Sequence, residues 1–249
     1  MRELYRLVYN GQDFDRCGDF LEPDYREHNL VLGDGIAASI EHQKQLGGYP
    51  NVIYREIRDG DLHCLHVRYF YEPYDYATID IWRLNAAGKA VEHWDSLAAM
   101  SGPQPERMVD GPQCSLAPLT PAERAARIAT VREYFDVAVR RKDQRALDRL
   151  LAPDFIEHNV GNGWFPGVRQ AMDSDITLDT VRVLGAGGDM AFAWTDYRHG
   201  GRTKHVAEIF RFDASGRIAE HWDTANHQPR DTGLPRARAV PPELMRPDI

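Results

Sequence analysis

His66, Asp80 and His93 are the residues of this chain whose types and spacing best suit chemistry. A carboxylate flanked by two imidazoles is an acid/base set. The carboxylate can remove a proton beside a carbonyl, and an imidazole can donate to the oxygen where charge develops. Antiparallel pairing would bring the three together. With Glu72-Pro73-Tyr74 at the centre of one hairpin, His66 falls opposite Asp80. With Asn85–Gly88 as the next turn, Asp80 falls opposite His93. Cβ atoms so placed lie ~4.5–5.5 Å apart. By alternation, Cys64, Arg68, Thr78, Trp82, Val91 and Asp95 share that face. Leu65, Val67, Tyr69, Ile79, Ile81, Arg83, Glu92 and Trp94 take the other. The mixed face is expected to line a pocket, and the apolar one to form the back of the sheet. Charged side chains are seldom buried without a partner or a task, so the mixed face is the candidate site.

These strands belong to a stretch that occurs twice. Ile81–Asp95 (IWRLNAAGKAVEHWD) and Ile209–Asp223 (IFRFDASGRIAEHWD) are identical at eight of fifteen positions, at an offset of 128. Upstream, Leu21–Asn29 (LEPDYREHN) matches Leu151–Asn159 (LAPDFIEHN) at an offset of 130. Two matched pairs in the same order indicate one domain duplicated in tandem. In the second copy the line across the strands reads Trp194, Glu208 and His221, with Phe210 and Asp223 nearby. Tryptophan in place of one histidine makes the first copy the better candidate for catalysis. His28, Asn29 and His158, from the repeated E-H-N, join Trp82, Asp95 and the second-copy residues as substrate-binding candidates. Trp94 and Trp222 read as packing on the sheet back, and Glu92 and Glu220 as partners of Arg83 and Arg211.

The elements that must position these residues follow from periodicity. Arg2–Gly11 has helical spacing of Leu4, Leu7 and Val8. Its counterpart is Pro121–Arg141, with Thr120 as N-cap, Pro121 at the first helical position and Glu123 in the first turn. Second helices are expected over Asp13–Leu21 and Gln144–Leu151, ended by Pro23 and Pro153. A short extended piece leads in each copy to a third helix, Gly35–Leu46 and Gly167–Thr177. Four strands follow: Val52–Arg58, Leu62–Tyr71, Tyr76–Leu84 and Ala90–Leu97 in the first copy. Thr180–Leu184, Met190–Tyr197, Lys204–Phe212 and Arg217–Asn226 are their counterparts. The expected fold class is therefore α+β: two tandem cone-like units, each of three helices on a curved, mainly antiparallel sheet. Residues 1–112 form the first copy and 113–120 the linker, inside the Pro- and Gly-rich stretch Ser101–Thr120. Residues 121–249 form the second copy, with an irregular tail from Pro229. The equal apolar backs should meet about a pseudo-two-fold axis, an intramolecular pseudo-dimer.

Composition excludes some classes. The net charge of −8 argues against a nucleic-acid partner, which would demand a basic stripe. No apolar run approaches the ~18 residues of a membrane span. Three cysteines, Cys17, Cys64 and Cys114, lie at no ligand spacing and fit unpaired thiols in the cytosol. A metal held by His66, His93, Asp80 and Asp95 is chemically acceptable but lacks a ligand motif.

The D-I-W-R, G-K and E-H-W-D runs, the upstream E-H-N, and His66 fourteen residues before Asp80 together resemble the SnoaL-like polyketide cyclase group. That group belongs to the nuclear transport factor 2-like superfamily. The resemblance covers both copies. It implies a cone with a deep pocket and ring closure of a hydrophobic carbonyl compound by intramolecular aldol chemistry, without metal or cofactor. It also implies Asp80 and His66 as the acid/base pair. Relatives pair through their sheets, so the tandem resembles such a dimer within one chain. A fold of this kind carries many functions. Related isomerase, lyase or hydrolase chemistry, and non-catalytic binding of small molecules, remain alternatives.

Overall fold

The computed structural model describes residues 1–29, 32–115, 117–158, 167–225 and 235–245. In the first half, strands β1 (Leu21–Glu27), β2 (Asn51–Asp59), β3 (Leu62–Tyr69), β5 (Tyr76–Leu84) and β6 (Ala90–Ala99) form a sheet in the order β1-β6-β5-β3-β2. The short β4 (Tyr71–Glu72) stands apart from it. The second half repeats the order as β7-β11-β10-β9-β8, from Leu151–Glu157 (β7), Thr177–Gly187 (β8), Met190–His199 (β9), Arg202–Phe212 (β10) and Ile218–Ala225 (β11). The hairpin strands are antiparallel. The E-P-D and A-P-D segments, β1 and β7, instead add a parallel edge strand to each sheet.

Helices cover one face of each sheet. Leu4–Asn10 and Phe135–Arg140 are wound as wide π-turns, the latter continuing the helix Pro121–Tyr134. Thr120 and Glu123 close a full capping box there, the local reason the helix starts where it does. Asp13–Leu21 is shorter than expected, a turn Phe14–Arg16 and a helix Cys17–Phe20. Gly35–Leu46 ends at Gly47, whose φ of 84° a side chain would oppose. Its counterpart is only Val168–Met172, and β8 begins at Thr177.

The two sheets pack back to back. Ile79, Ile81 and Trp94 share one buried cluster with Ala207, Ile209 and Trp222. Ser96 Oγ donates to the Thr224 carbonyl at 2.7 Å. These two residues are equivalent at the repeat offset, so the halves meet near a pseudo-two-fold axis. Leu65, placed on the back by alternation, lies instead in the core under the first helices, as its counterpart Ala193 does in the second half.

Two segments expected to be irregular have structure. In the stretch Ser101–Thr120, Met108 and Val109 are buried, and the carbonyls of Val109, Asp110 and Pro112 accept from the Arg55 guanidinium at 2.9, 2.9 and 3.2 Å. In the tail, β12 (Arg236–Ala237) pairs with β4 of the first half. Arg238 then grips Asp75 through both carboxylate oxygens at 2.6–2.7 Å. Replacing Asp75 by Ala should free this segment. Trypsin cleavage at Arg236 or Arg238 is expected to accelerate about tenfold, the scale of one lost bidentate ion pair. An unchanged cleavage rate would show that backbone pairing alone holds the tail. Among the described residues no helix is long and apolar enough to cross a membrane.

Candidate active site

Register decides which residues meet. In the β5–β6 pair, Asp80 lies opposite Asp95 and Trp82 opposite His93, because the partner of Leu84 is Ala90 and Val91 is bulged out. That is two residues from the expected pairing, so Asp80, Trp82, His93 and Asp95 still share the pocket face. In the β3–β5 pair, Leu65 lies opposite Asp80 and His66 opposite Ile79. That is one residue from expectation, and it turns every β3 side chain over. The cause is the connection. Strand β3 closes at Tyr69↔Tyr76, Tyr71 pairs with the tail instead, and Asp75 accepts from the Tyr71 N–H at 3.2 Å. Leu65, Val67 and Tyr69 therefore enter the first core, while Cys64 joins the layer between the sheets.

His66 is thus removed from Asp80. It lies on the back, fully buried against Arg55 and 6.4 Å from the Trp222 ring. Burial, and then the Arg55 charge, push its pKa well below the usual histidine value, so it is a neutral interface residue. Trp194 sits in the same interlayer core. The histidine-to-tryptophan difference between copies is therefore a difference of interface and not of pocket. His28 and His158 also face away from the carboxylates. They stack on Trp94 and Trp222 at 4.9 and 4.3 Å and bond to Glu92 and Glu220 at 2.8 and 2.6 Å. Arg83 and Arg211 complete those pairs at 3.1 and 2.6 Å, as expected.

On the pocket face the two repeated motifs lock together. Parallel pairing sets Glu27 beside His93, and Glu157 beside His221. Glu27 Oε2 lies 2.8 Å from His93 Nδ1, and Asn29 Nδ2 donates to both Asp95 oxygens at 2.7 and 2.9 Å. The Asn29 N–H donates back to Glu27 at 2.9 Å. Asn159, the counterpart, lies outside the described residues. Tyr5, from the first helix, donates to Asp80 Oδ2 at 2.6 Å, and Tyr69 does so at 3.2 Å. The Trp82 indole N–H donates to the Tyr5 hydroxyl at 3.1 Å, and its ring stacks on His93 at 3.6 Å. His93 Nε2 lies 3.8 Å from Asp80 Oδ1, too far for a hydrogen bond, and has no hydrogen-bond partner among the described residues.

The second pocket has the same plan. Glu208 accepts from Thr195 at 2.8 Å and Tyr197 at 3.0 Å, and lies 3.2 Å from His221 Nε2. Glu157 holds His221 Nδ1 at 3.0 Å, and Phe210 stacks on that ring at 4.7 Å. Asp223 is buried beside them. Each pocket therefore surrounds one imidazole with three carboxylates: Glu27, Asp80 and Asp95 in the first, Glu157, Glu208 and Asp223 in the second.

That ratio sets the electrostatics. Burial disfavours charge on His93, but Glu27 and Asp80 overcome it and raise its pKa to about 10. Burial pushes the Asp95 carboxyl up to about 8 against the opposing pull of His93, and Glu27 and Asp80 add to the rise. These shifts favour an imidazolium at His93 and hold Asp95 closer to its acid form than an ordinary aspartate. The Tyr5 phenol is held well above its usual pKa by burial and by the Asp80 charge, so it remains a donor. His221 is raised like His93: burial opposes its charge, and Glu157 and Glu208 favour it.

These shifts predict a slope in stability. Folded His93 keeps its proton to about 10, whereas unfolded imidazole loses it near 6.5. Its contribution is therefore whole below pH ~6.5 and lost as pH rises through about 10. Asp95, raised from 3.8 to about 8, acts in the same direction at lower pH. The melting temperature should fall steadily from about pH 6.5 to 10. Glu27→Gln should flatten that fall by letting His93 titrate earlier. A melting temperature that is level across this interval, or a Glu27→Gln slope like that of the wild type, would contradict the assignment.

A cation could be held by Asp80, His93 and Asp95, or by Glu157, His221 and Asp223, whose ligand atoms lie within 4.8 Å of one another. In the first set Tyr5, Tyr69 and Asn29 already donate to the carboxylate oxygens, so a cation would have to displace or share those bonds. The metal set that included His66 is ruled out by the register.

Glu27, Glu157, Tyr5, Tyr69, Thr195 and Tyr197 are the site residues that strand arithmetic missed. The glutamates carried a signal, since both stand in the repeated E-H-N.

No protein-family model matches the chain, and no curated protein matches it. Solved structures do. An epoxide hydrolase of the LEH-like type from M. tuberculosis is 20% identical over 41% of this chain and 84% of its own, with a TM-score of 0.33. A putative ketosteroid isomerase from Kribbella flavida is 22% identical over 50% and 96%, with a TM-score of 0.33. A SnoaL-like protein of unknown function from Burkholderia thailandensis is 20% identical over 45% and 100%, also at 0.33. The activities in those names belong to those proteins.

Proposed function

We propose that the protein is an acid/base catalyst acting on a hydrophobic carbonyl compound, with the first pocket as its active site. The observation that supports this best is the juxtaposition of Asp80 with the unbonded, buried Nε2 of His93. The carboxylate takes the proton next to the carbonyl. The imidazolium, or the Tyr5 phenol, donates to the enolate oxygen that forms. Trp82, Tyr5 and Tyr69 wall the site with aromatic surface, suited to a planar apolar body. These groups serve aldol-type ring closure, the reading closest to the sequence resemblance, and isomerase or lyase chemistry equally. They need no added cofactor. The aspartate of the sequence resemblance, Asp80, stands in the first half where the second has Glu208, which favours the first pocket.

Proton abstraction can be followed before the full reaction is known. Cyclic ketones and β-keto compounds incubated with the protein in D₂O should gain deuterium α to the carbonyl, followed by NMR. Compounds that bind without exchange or turnover would favour a non-catalytic binding module.

A further inference from the structure

Glu27, Asp80 and Asp95 are three buried carboxylates, and among the described residues no lysine or arginine is ion-paired with any of them. The donors on the two aspartates are neutral: Tyr5 and Tyr69 on Asp80, Asn29 on Asp95. Buried charge of one sign calls for a counter-charge, and His93 supplies at most one. His93 is 5% exposed, and its Nε2 faces this cluster with no hydrogen-bond partner among the described residues. Each of these groups is also held from behind. Glu27 Oε2 lies 2.8 Å from His93 Nδ1, which turns Nε2 toward the two aspartates. Tyr5 and Tyr69 bond to Asp80 Oδ2 and leave Oδ1, 3.8 Å from Nε2. The Asn29 amide forks onto both Asp95 oxygens, and each oxygen has a second acceptor position. A carboxylate behind a histidine, and hydrogen bonds behind carboxylates, are the usual support of metal ligands.

We propose that Asp80 Oδ1, His93 Nε2 and Asp95 bind a divalent ion of the zinc type, and that an ion held there withdraws Asp80 and His93 from proton transfer. Bonds from zinc to nitrogen and oxygen are ~2.0–2.2 Å long, so two ligand atoms on one ion stand up to ~4.4 Å apart. The 3.8 Å between Nε2 and Asp80 Oδ1 lets one ion touch both. The three ligand atoms lie within 4.8 Å of one another, so a shift of about 0.4 Å at most completes the set. An imidazole nitrogen favours zinc over magnesium or calcium, and the ion displaces any proton on it. The second half has lost this opening. Glu208 is one methylene longer than Asp80 and reaches His221 Nε2 at 3.2 Å, so the nitrogen is already taken. One tight site per chain follows. The blocking of proton transfer rests on the catalytic reading of Asp80, whereas the binding itself does not.

Calorimetric titration of the chelator-treated full chain with Zn²⁺ tests the site. One tight equivalent is expected, and Mg²⁺ at the same concentration should not displace it. Asp80→Asn, which keeps the size of the side chain, should weaken that equivalent by at least about tenfold, and His93→Gln should remove it. Glu27→Gln should weaken it by about 10- to 100-fold, the usual cost of losing a group behind a metal ligand. Circular dichroism confirms that each variant is folded, and if His93→Gln is not, the other two carry the test. His199→Gln, at an exposed pair with Asp175, should leave the tight equivalent unchanged. No tight equivalent, two of equal affinity, full affinity in Asp80→Asn and Glu27→Gln, or loss in His199→Gln would overturn the assignment. Filling the site should also stop deuterium exchange into a ketone, and a chelator should restore it. Exchange that continues with zinc bound would overturn the blocking. A metal-free protein that exchanges nothing would instead count against the catalytic reading, with zinc binding still read by the titration.

Discussion

Asp80→Asn should slow α-proton exchange, and any turnover found, by 10²- to 10⁴-fold, about the contribution of a positioned general base. The change is nearly isosteric. The amide oxygen can still accept from Tyr5 and Tyr69, so the fold and the position of Trp82 should persist. What disappears is a basic oxygen 3.8 Å from His93 Nε2. Thermal melting and near-UV circular dichroism should stay close to the wild type while the rate falls. Glu208→Gln is the companion variant. The two pockets share a plan, so it separates a shared activity from a divided one. With the first pocket alone active, Glu208→Gln costs little. A fully active Asp80→Asn beside a dead Glu208→Gln would reverse the roles of the halves. Full activity in both variants would make the two carboxylates structural.

Much of the frame was legible because repeats and alternation are local. Tyr76–Leu84 and Gly35–Leu46 begin and end where periodicity and turn residues put them. Back-to-back packing followed from Ile79, Ile81, Ala207 and Ile209. The site was legible only where errors preserved parity. Asp80, Trp82, His93 and Asp95 survived a two-residue shift, whereas His66 and Trp194 did not survive a one-residue shift. No local rule reveals that residues 70–75 form a loop whose Tyr71 pairs with a tail more than 160 residues later. Nor does periodicity say where a parallel edge strand docks, so Glu27 and Glu157 could not be placed beside their histidines. The repeated E-H-N and E-H-W-D runs are two sides of one contact. Glu27 meets His93, His28 meets Glu92 and Asn29 meets Asp95.

Arg55 is the residue whose loss should cost the fold most. It is fully buried, and among the described residues no carboxylate bonds directly to it. Its guanidinium is held by the carbonyls of Val109, Asp110 and Pro112, by His66 Nδ1, and by the Trp222 ring at 4.2 Å. Burial pushes its pKa down to about 10, partly offset by Glu220 and Asp110, so it stays charged at neutral pH. Arg55→Met fills similar volume and removes the cost of burying a charge, which favours the variant. Against that, it strands three carbonyls and an imidazole nitrogen, at about 1–3 kcal/mol for each group left without a donor. It also removes a desolvated cation–π contact worth about 2 kcal/mol. The losses outweigh the gain, and a net destabilisation of about 3–5 kcal/mol is expected, in the range for breaking buried charged networks. Arg55→Lys should not rescue it, because an ammonium cannot span three carbonyls in one plane. Urea unfolding measures the effect as a lower midpoint with the slope retained. A stability within about 0.5 kcal/mol of the wild type, the range of ordinary surface substitutions, would mean that Val109–Pro112 packs on the sheets without Arg55.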